Sequence, residues 1–358
     1  MGAGFSAPLG LPVMGDFLVK SKDMYFDNPN RFTYFKQVFD LIKRMSVTKN
    51  YYRTDLLNIE EILSILEMQS FLGKRKLRKI FLKYIAEVVN FFTPAVTPCT
   101  APLPAKWHQH VFGSDSQWRK YGIFFANLMR MSISRENNFV VGEPRYRFRI
   151  SQNSRHSYQY SIVTLNYDYV PEIFAEFCTA QYEPTVPVEF RKQVTGDLWE
   201  VPSLAKLHGC AREGNIIPPT WSKGVYRSII PTWRLAYQLL FEANYIRFVG
   251  YSLRAADLYI QYLLKAASLA APHLKMVDVI CLDPDGSVYS RFKEFIDFSF
   301  FRFANARTED YLDSLESAYN KTSNNVEVRH LVEFTQLEHV HDEFMRQAQQ
   351  GRQLGRSP

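Results

Sequence analysis

The sequence predicts an α/β fold: a doubly wound parallel sheet with a large helical insertion, its first strand missing from the chain. Three observations predict it. From Ser161 onward, short apolar runs alternate with segments of helical period, the pattern of parallel βαβ units. Asn166, His208, Gly250 and Asp283 all fall at or just beyond predicted strand ends, the rim where open parallel sheets bind ligands. Finally, the chain opens "MGAGFSAPLG", in which Gly2, Gly4 and Ala7 fit a G-x-G-x-x-G/A loop. Such a loop normally follows a buried strand and starts a helix, and here only Met1 precedes it.

Residues 1–17 read as a Gly/Pro-rich loop. From Phe32 to Pro94 the pattern is helical: "LLNIEEILSILEMQSFL" and "LRKIFLKYIAEVVNFF" both repeat apolar residues at three and four. "TPAVTPCTAPLPAKW" is a Pro-rich connector that cannot be regular helix. "QWRKYGIFFANLMRM" reads as an amphipathic helix and "FVVGEPRYRFRI" as extended. "SIVTLNYD" is a strand running into a loop. "PEIFAEFCTA" is a helix with Pro171 in its first turn. "SLAKLHG" is a strand with His208 at its exit, and "TWRLAYQLLFEAN" a helix. "YIRFVGYSL" is a buried strand ending at Gly250, "AADLYIQYLLKAASLA" a helix with Asp257 in its first part, and "MVDVICLDPDG" a strand and turn. "TEDYLDSLESAYN" and "LVEFTQLEHVHDEFMRQAQQ" are late helices, followed by a disordered tail.

Composition narrows the function classes. A chain of 358 residues, 46% of them apolar, builds a sizeable core without disulfide staples. Cys99, Cys178, Cys210 and Cys281 lie far apart with no C-x-x-C, which argues against a zinc ribbon and suits a reducing cytoplasm. No apolar run approaches the roughly 18 residues of a membrane span, and the N-terminus lacks the pattern of a signal peptide. A soluble cytoplasmic protein is expected. The net charge of +7 favours anionic ligands. The densest basic run, "GKRKLRK" (Gly73–Lys79), reads as a solvated helix start. With no nucleic-acid-binding motif beside it, direct nucleic-acid binding is not expected.

Four stretches bear chemistry. Glycines in the opening loop let backbone approach a pyrophosphate. In "TLNYD" (Thr164–Asp168), an Asn straight after a strand can present its amide to a ribose hydroxyl or a water; an Asx turn is the plainer reading. In "KLHGC", a His at a strand exit with Gly behind it suits a general base, or is a structural histidine bonded to backbone. In "FVGYSLRAAD", Gly250 ends a strand and Ser252 can cap the next helix.

Taken in order, "GAGFS…TLNYD…KLHG…GYSL…D" resembles the sirtuin family, and more closely its bacterial sirtuin-like NAD-consuming branch. Sirtuins carry a GAG-[IV]-S loop, a T-Q-N-x-D motif, an H-G motif and a G-[TS]-S-L turn. "IIPPTW" (Ile216–Trp221) also has the look of that branch. The resemblance implies a Rossmann-like catalytic domain over residues 1–320 with a helical insertion at about 18–150, then a C-terminal helix and tail over 321–358. It implies that Gly2, Ala3, Gly4, Phe5 and Ser6 cradle NAD phosphates, Phe5 standing where Ile or Val is usual. It makes Asn166 the residue orienting the nicotinamide ribose or the attacking water, Asp168 its support, and His208 the general base. Gly250, Ser252 and Leu253 match the turn near the adenosine ribose and phosphate, with Asp283 on the adenosine side.

The implied activity is NAD hydrolysis to nicotinamide and ADP-ribose, with NAD as substrate and no zinc. The implied setting is bacterial antiphage defence, within a homo-oligomer or with a partner ATPase. Deacylating sirtuins carry paired C-x-x-C motifs that are absent here, which favours hydrolysis. ADP-ribosyl transfer or deacylation, and a non-catalytic NAD- or ADP-ribose-binding scaffold, are the alternatives. "GLPVMGDFLV" follows the loop where deacylases carry G-I-P-D-F-R, so Asp16 receives no role, and neither does Asp23. A misplaced start codon would account for the missing strand. "HQH" (His108–His110) and "EHVHDE" (Glu338–Glu343) suggest metal, but histidines two apart on a helix point to different faces. Trp221 reads as packing or as a pocket wall.

Overall fold

The computed structural model describes residues 1–96, 106–140, 143–152, 158–184, 188–193, 201–217, 227–254, 257–269, 273–323 and 331–353. The opening loop becomes a four-residue helix, α1 (Ala3–Ser6), then a 3-10 turn over Ala7–Leu9 closed by Gly10 at φ +89°. Helices α2 (Phe17–Asp27), α3 (Phe35–Met45), α4 (Ile59–Phe71) and α5 (Lys76–Phe92) follow. In α3 the buried residues are Phe35, Val38, Leu41, Ile42 and Met45, one helical face. Asn58 caps α4 by accepting from the amides of Glu60 and Glu61, whose charges suit a helix start. The basic run forms the loop before α5 and its first turn, and its lysines are exposed.

Helix α6 (Ser116–Leu128) is capped by Asp115 and is buried at every residue from Tyr121 to Leu128. It is therefore a central helix, where the sequence predicts an amphipathic one reaching Met131. It ends early because Arg130 takes φ +53° and Met131 opens a strand. Strand β1 (Met131–Val140) pairs antiparallel with β2 (Glu143–Gln152). Next come β3 (Ile162–Thr164), α7 (Val170–Gln181) with Pro171 in its first turn, β4 (Glu183–Pro184) and β5 (Leu204–Lys206). The chain continues through α8 (Ile230–Phe241), β6 (Tyr245–Val249), α9 (Leu258–Ser268) and β7 (Met276–Cys281). It closes with α10 (Ser287–Phe295), β8 (Phe301–Asn305), α11 (Thr308–Ser323), β9 (Leu331–Glu333) and α12 (Leu337–Gln353). "LVEF", expected at the start of a helix, instead supplies β9, which pairs with β1.

Among the described residues the strands form three sheets: β4-β2-β1-β9, the parallel pair β3-β5, and the parallel triplet β6-β7-β8. The fold is thus mixed α/β with open parallel sheets. Side chains alternate across them. Leu204, Val249, Ile280 and Ala304 join the core formed with α6, α7, α11 and α12. Ala205, Val279 and Phe303 join the core formed with α8, α9 and α10. Strand β6 departs from expectation: it is half-buried rather than buried, with Tyr245 41% exposed. The reason is its open edge, which faces β3 across a gap.

An ion-pair network fixes α12 to the sheets. His341 Nε2 lies 2.8 Å from Asp278, which also receives both Arg302 Nε and Nη2 at 2.8 Å. Arg247 of β6 grips Glu338 through two bonds of 2.8 and 2.7 Å, and Tyr160 donates to the same carboxylate at 2.8 Å. The two histidines of this segment do point apart: His341 is buried, whereas His339 is 80% exposed at its side chain. Among the described residues, no helix is long and apolar enough to cross a membrane.

Candidate functional site

The C-terminal ends of β3, β5 and β6 carry loops that lie against one another and against the N-terminus. Met1 and Gly2 run between β3 and β6. The Met1 ammonium donates to Val163 O at 2.7 Å, Leu165 N donates to Met1 O at 3.1 Å, and Gly2 N donates to Val249 O at 3.1 Å. Gly4 N then donates to Gly250 O at 3.0 Å. A Cβ on Gly250 would lie 2.2 Å from Phe5 N, and one on Gly2 would lie 2.6 Å from Gly250 O. Gly250 also sits at φ +64°, where a Cβ is strained. The glycines are therefore required for one loop to rest on the other, a role that spacing alone does not distinguish from room for a phosphate.

Asn166 ties this arrangement together. Its Nδ2 donates to Gly2 O at 3.0 Å and to Ser6 Oγ at 3.1 Å, and its amide N–H donates to Thr164 Oγ1. Its Oδ1 makes no hydrogen bond among the described residues. Ser6 also lies beside the Asp168 carboxyl, which accepts from Val170 N at 3.2 Å. Burial raises the Asp168 pKa, against the lowering influence of Lys206, Ser6 and the Val170 amide.

Lys206 is a functional candidate that sequence reading passed over. It is the last residue of β5 and only 8% exposed. Its ammonium donates to Asp168 O, to Glu172 Oε1 at 3.1 Å and to Cys210 Sγ at 3.2 Å. Burial opposes its charge, but Glu172, Cys210 and Asp168 together hold its pKa above the ordinary lysine range. The signal was a lysine inside the apolar run "SLAKL", a position where an unpaired lysine is almost never buried.

His208 lies at the exit of β5 and is 3% exposed. Its ring stands 5.9 Å, centroid to centroid, from that of Tyr167. Its carbonyl accepts from Ile217 N at 2.9 Å, and Ala211 N donates to Tyr167 O at 2.8 Å, joining the loops after β3 and β5. Gly209 behind it has φ +78°, and a Cβ there would meet Asn215 O at 2.0 Å, so this glycine makes a turn rather than an opening. Residues 218–221 of "IIPPTW", including Trp221, lie outside the described residues, as does Cys99.

The remaining expected residues divide. Gly2, Gly4, Ser6, Asn166, Asp168 and Gly250 come together, with His208 on the neighbouring strand end. Ala3 is exposed beside them. Phe5 is buried among Tyr121, Phe124 and Phe125, with Tyr121 donating to its carbonyl. It anchors the loop in the core instead of facing the rim. Ser252 does not cap α9, since Asp257 occupies the N-cap position. The Ser252 carbonyl accepts from Arg291 at 3.1 Å. Leu253 is buried at φ +46°. Asp283 accepts from the amides of Val288 and Tyr289 at 3.0 and 2.9 Å, holding the start of α10. Its two oxygens are thus engaged within its own turn.

The helical segment before Ser161 reaches the rim through Glu60, which pairs with Arg254 at 3.3 Å. Tyr251 donates to Asp257 at 2.9 Å beside them. A scan against protein-family models finds no match to this chain, and a search of curated proteins finds none either.

Proposed function

We propose that this protein is a sirtuin-like NAD glycohydrolase on a doubly wound, Rossmann-like scaffold, splitting NAD into nicotinamide and ADP-ribose. One observation carries the reading: Asn166 hydrogen-bonds to both ends of the glycine loop, at Gly2 O and Ser6 Oγ, while that loop rests on Gly250. Motifs far apart in the chain thereby share one rim, with His208 on the adjacent strand. The order β5-β3, gap, β6-β7-β8 supports the doubly wound assignment, with the gap at the point where such sheets bind dinucleotides.

The chemistry asks little of the protein. The bond between ribose C1′ and the nicotinamide nitrogen breaks, and nicotinamide leaves with the electron pair as a neutral molecule. No acid is required, because that nitrogen is cationic at the outset. The ribose gains oxocarbenium character, as in glycoside hydrolysis. Water then forms the new bond to C1′, and His208 takes its proton as general base. Asn166 Oδ1 accepts from the water or a ribose hydroxyl, and Asp168 steadies Asn166 through Ser6. The resemblance extends the proposal to a cytoplasmic antiphage enzyme acting within a homo-oligomer or with a partner ATPase.

Nicotinamide release from NAD, measured for the parent protein, Asn166→Ala and His208→Ala, tests this reading. Both substitutions are expected to lower turnover at least about 100-fold while circular dichroism stays unchanged. Turnover persisting in Asn166→Ala, nicotinamide release that needs an acylated peptide, or binding of NAD without turnover would each overturn it.

A further inference from the structure

Helices α3, α4 and α5 bring their loops to one end of the helical segment. Phe35 of α3 meets Tyr84 of α5 at 4.9 Å between ring centroids, and Phe32 just before α3 meets Phe91 at 6.0 Å, so the two helices run antiparallel. Counting on from those contacts along both helices sets Met45, the last residue of α3, level with the turn before α5. Glu67 of α4 pairs with Arg78 of α5 at 2.6 Å, so the same turn closes the α4–α5 hairpin. The other end of α4 lies at the rim, where Glu60 pairs with Arg254. Phe71, at the far end of α4, is about 16 Å further along the helix.

Two turns at this end project apolar side chains into solvent. The first ends α4 in a Schellman motif: Gly73 N donates to Ser70 O at 3.1 Å and Lys74 N to Gln69 O at 2.8 Å, with Gly73 at φ +96°. Such a motif usually tucks in an apolar pair, one residue just past the glycine and one from the last helical turn. Here that pair is Lys74 and Gln69, and Phe71 and Leu72 are instead 74% and 71% exposed. The second turn follows α3. Thr48 Oγ1 donates to Met45 O at 2.6 Å, and Tyr51 N and Tyr52 N both donate to Thr48 O. The turn is thereby held against α3 while Tyr51 and Tyr52 are 77% and 75% exposed. Bulky apolar side chains gathered at one end of a fold mark an interaction surface.

The charge around them is of one sign. Residues 41–54 hold four Lys or Arg and residues 68–79 five, and neither stretch contains an Asp or Glu. All of these cations but Arg78 are exposed. Lys74, Arg75 and Lys76 stand at the N-terminal end of α5, where the helix dipole disfavours cations, so helix stability does not account for them. We propose that this end of the molecule rests on an anionic lipid surface, with Phe71, Leu72, Tyr51 and Tyr52 at the boundary between headgroups and acyl chains and the cations over lipid phosphates. Charge and apolar tip decide the partner together. A nucleic acid would meet the charge and leave Phe71 and Leu72 in water, whereas a bilayer surface takes up both. Tyrosine suits that boundary, being apolar in its ring and polar at its tip. The contact lies on the bilayer and crosses nothing. The length of α4 separates it from the rim, so a docked molecule need not cover the candidate site.

The test is co-sedimentation of the full chain with vesicles of phosphatidylcholine, alone or with about one third phosphatidylglycerol. Binding to the anionic vesicles is expected to be at least about tenfold tighter than to phosphatidylcholine alone. Phe71→Ser/Leu72→Ser and Lys74→Glu/Lys76→Glu are each expected to weaken it at least about tenfold. All four side chains are exposed, so circular dichroism should stay that of the parent protein. Lys275→Glu/Lys293→Glu makes the same change in net charge at exposed positions beside β7 and on α10, and should bind as the parent does. Phe71→Trp reports depth: brominated acyl chains are expected to quench its added emission on binding. Absence of binding to anionic vesicles, equal loss in the two charge variants, full binding by Phe71→Ser/Leu72→Ser, or an added emission that resists quenching would each overturn the proposal. So would duplex DNA that displaces the vesicles and binds equally well without Phe71 and Leu72, which would assign the surface to a nucleic acid.

Discussion

Replacing Gly250 with alanine tests whether the site depends on one loop resting on another. The new Cβ would stand 2.2 Å from Phe5 N and 2.4 Å from Gly4 C, both backbone atoms. Ordinary contact between such atoms needs about 3.5 Å, so the opening loop must retreat by roughly 1 Å. That displacement breaks the bonds Gly2 N to Val249 O, Gly4 N to Gly250 O and Asn166 Nδ2 to Gly2 O. At about 1 kcal/mol net for each bond, plus about 1–2 kcal/mol for a Cβ at positive φ, the expected loss is about 4–5 kcal/mol. Gly10→Ala is the control: it also has positive φ, but nothing lies within 4 Å of its added Cβ. It should lose only the conformational part, about 1–2 kcal/mol. Urea unfolding with a common m-value measures both. Two variants equally destabilised would refute the argument, because the loop contact would then contribute nothing.

Other outcomes follow from the core and from the α12 network. Phe5→Ala empties a site packed against Tyr121, Phe124 and Phe125 and should cost about 3–5 kcal/mol in the same assay, whereas Phe5→Ile should stay under about 1.5. Burial holds the His341 pKa below the ordinary histidine range despite the pull of Asp278. The unfolded chain therefore takes up this proton first, and stability should fall as pH drops below about 6.5. Burial works against ionisation of Asp278, but hydrogen bonds from Arg302 and His341 outweigh it and lower its pKa. Its contribution is present above the ordinary aspartate range and is lost only as pH falls through that lowered value. His341→Gln should accordingly flatten the stability profile between pH 7.5 and 5.5, and a profile unchanged by the substitution would exclude His341 as its source.

Periodicity made β3, β5, β6, β7 and the helices between them legible, because a buried parallel strand is a short apolar run and its crossover helix is not. β9 was illegible for the converse reason. Three residues of "LVEF" fit a helical period equally well, and only pairing with β1, about two hundred positions earlier, makes them a strand. The half-exposure of β6 was equally invisible, since burial depends on a neighbour and the strand's own residues do not reveal it. In the site, residue types at strand ends pointed to Asn166 and His208. The partners that define Asn166, Gly2 and Ser6, come from the far end of the chain. Asp283 looked available at a strand end, yet the amides that engage its carboxylate come from the next helix, which the sequence did not announce.

The Glu338 clasp has a mechanical consequence. Glu338 receives Tyr160 from the β3 side and Arg247 from β6, spanning the gap between β3 and β6 at the end away from the rim. Met1 and Gly2 span the other end through backbone bonds. The two parallel sheets are thus joined directly at both ends of a shared seam, and between those ends by the one core that packs on both. One of those joins lies beside Asn166, so a change at the seam would reach the Gly2 carbonyl to which Asn166 donates.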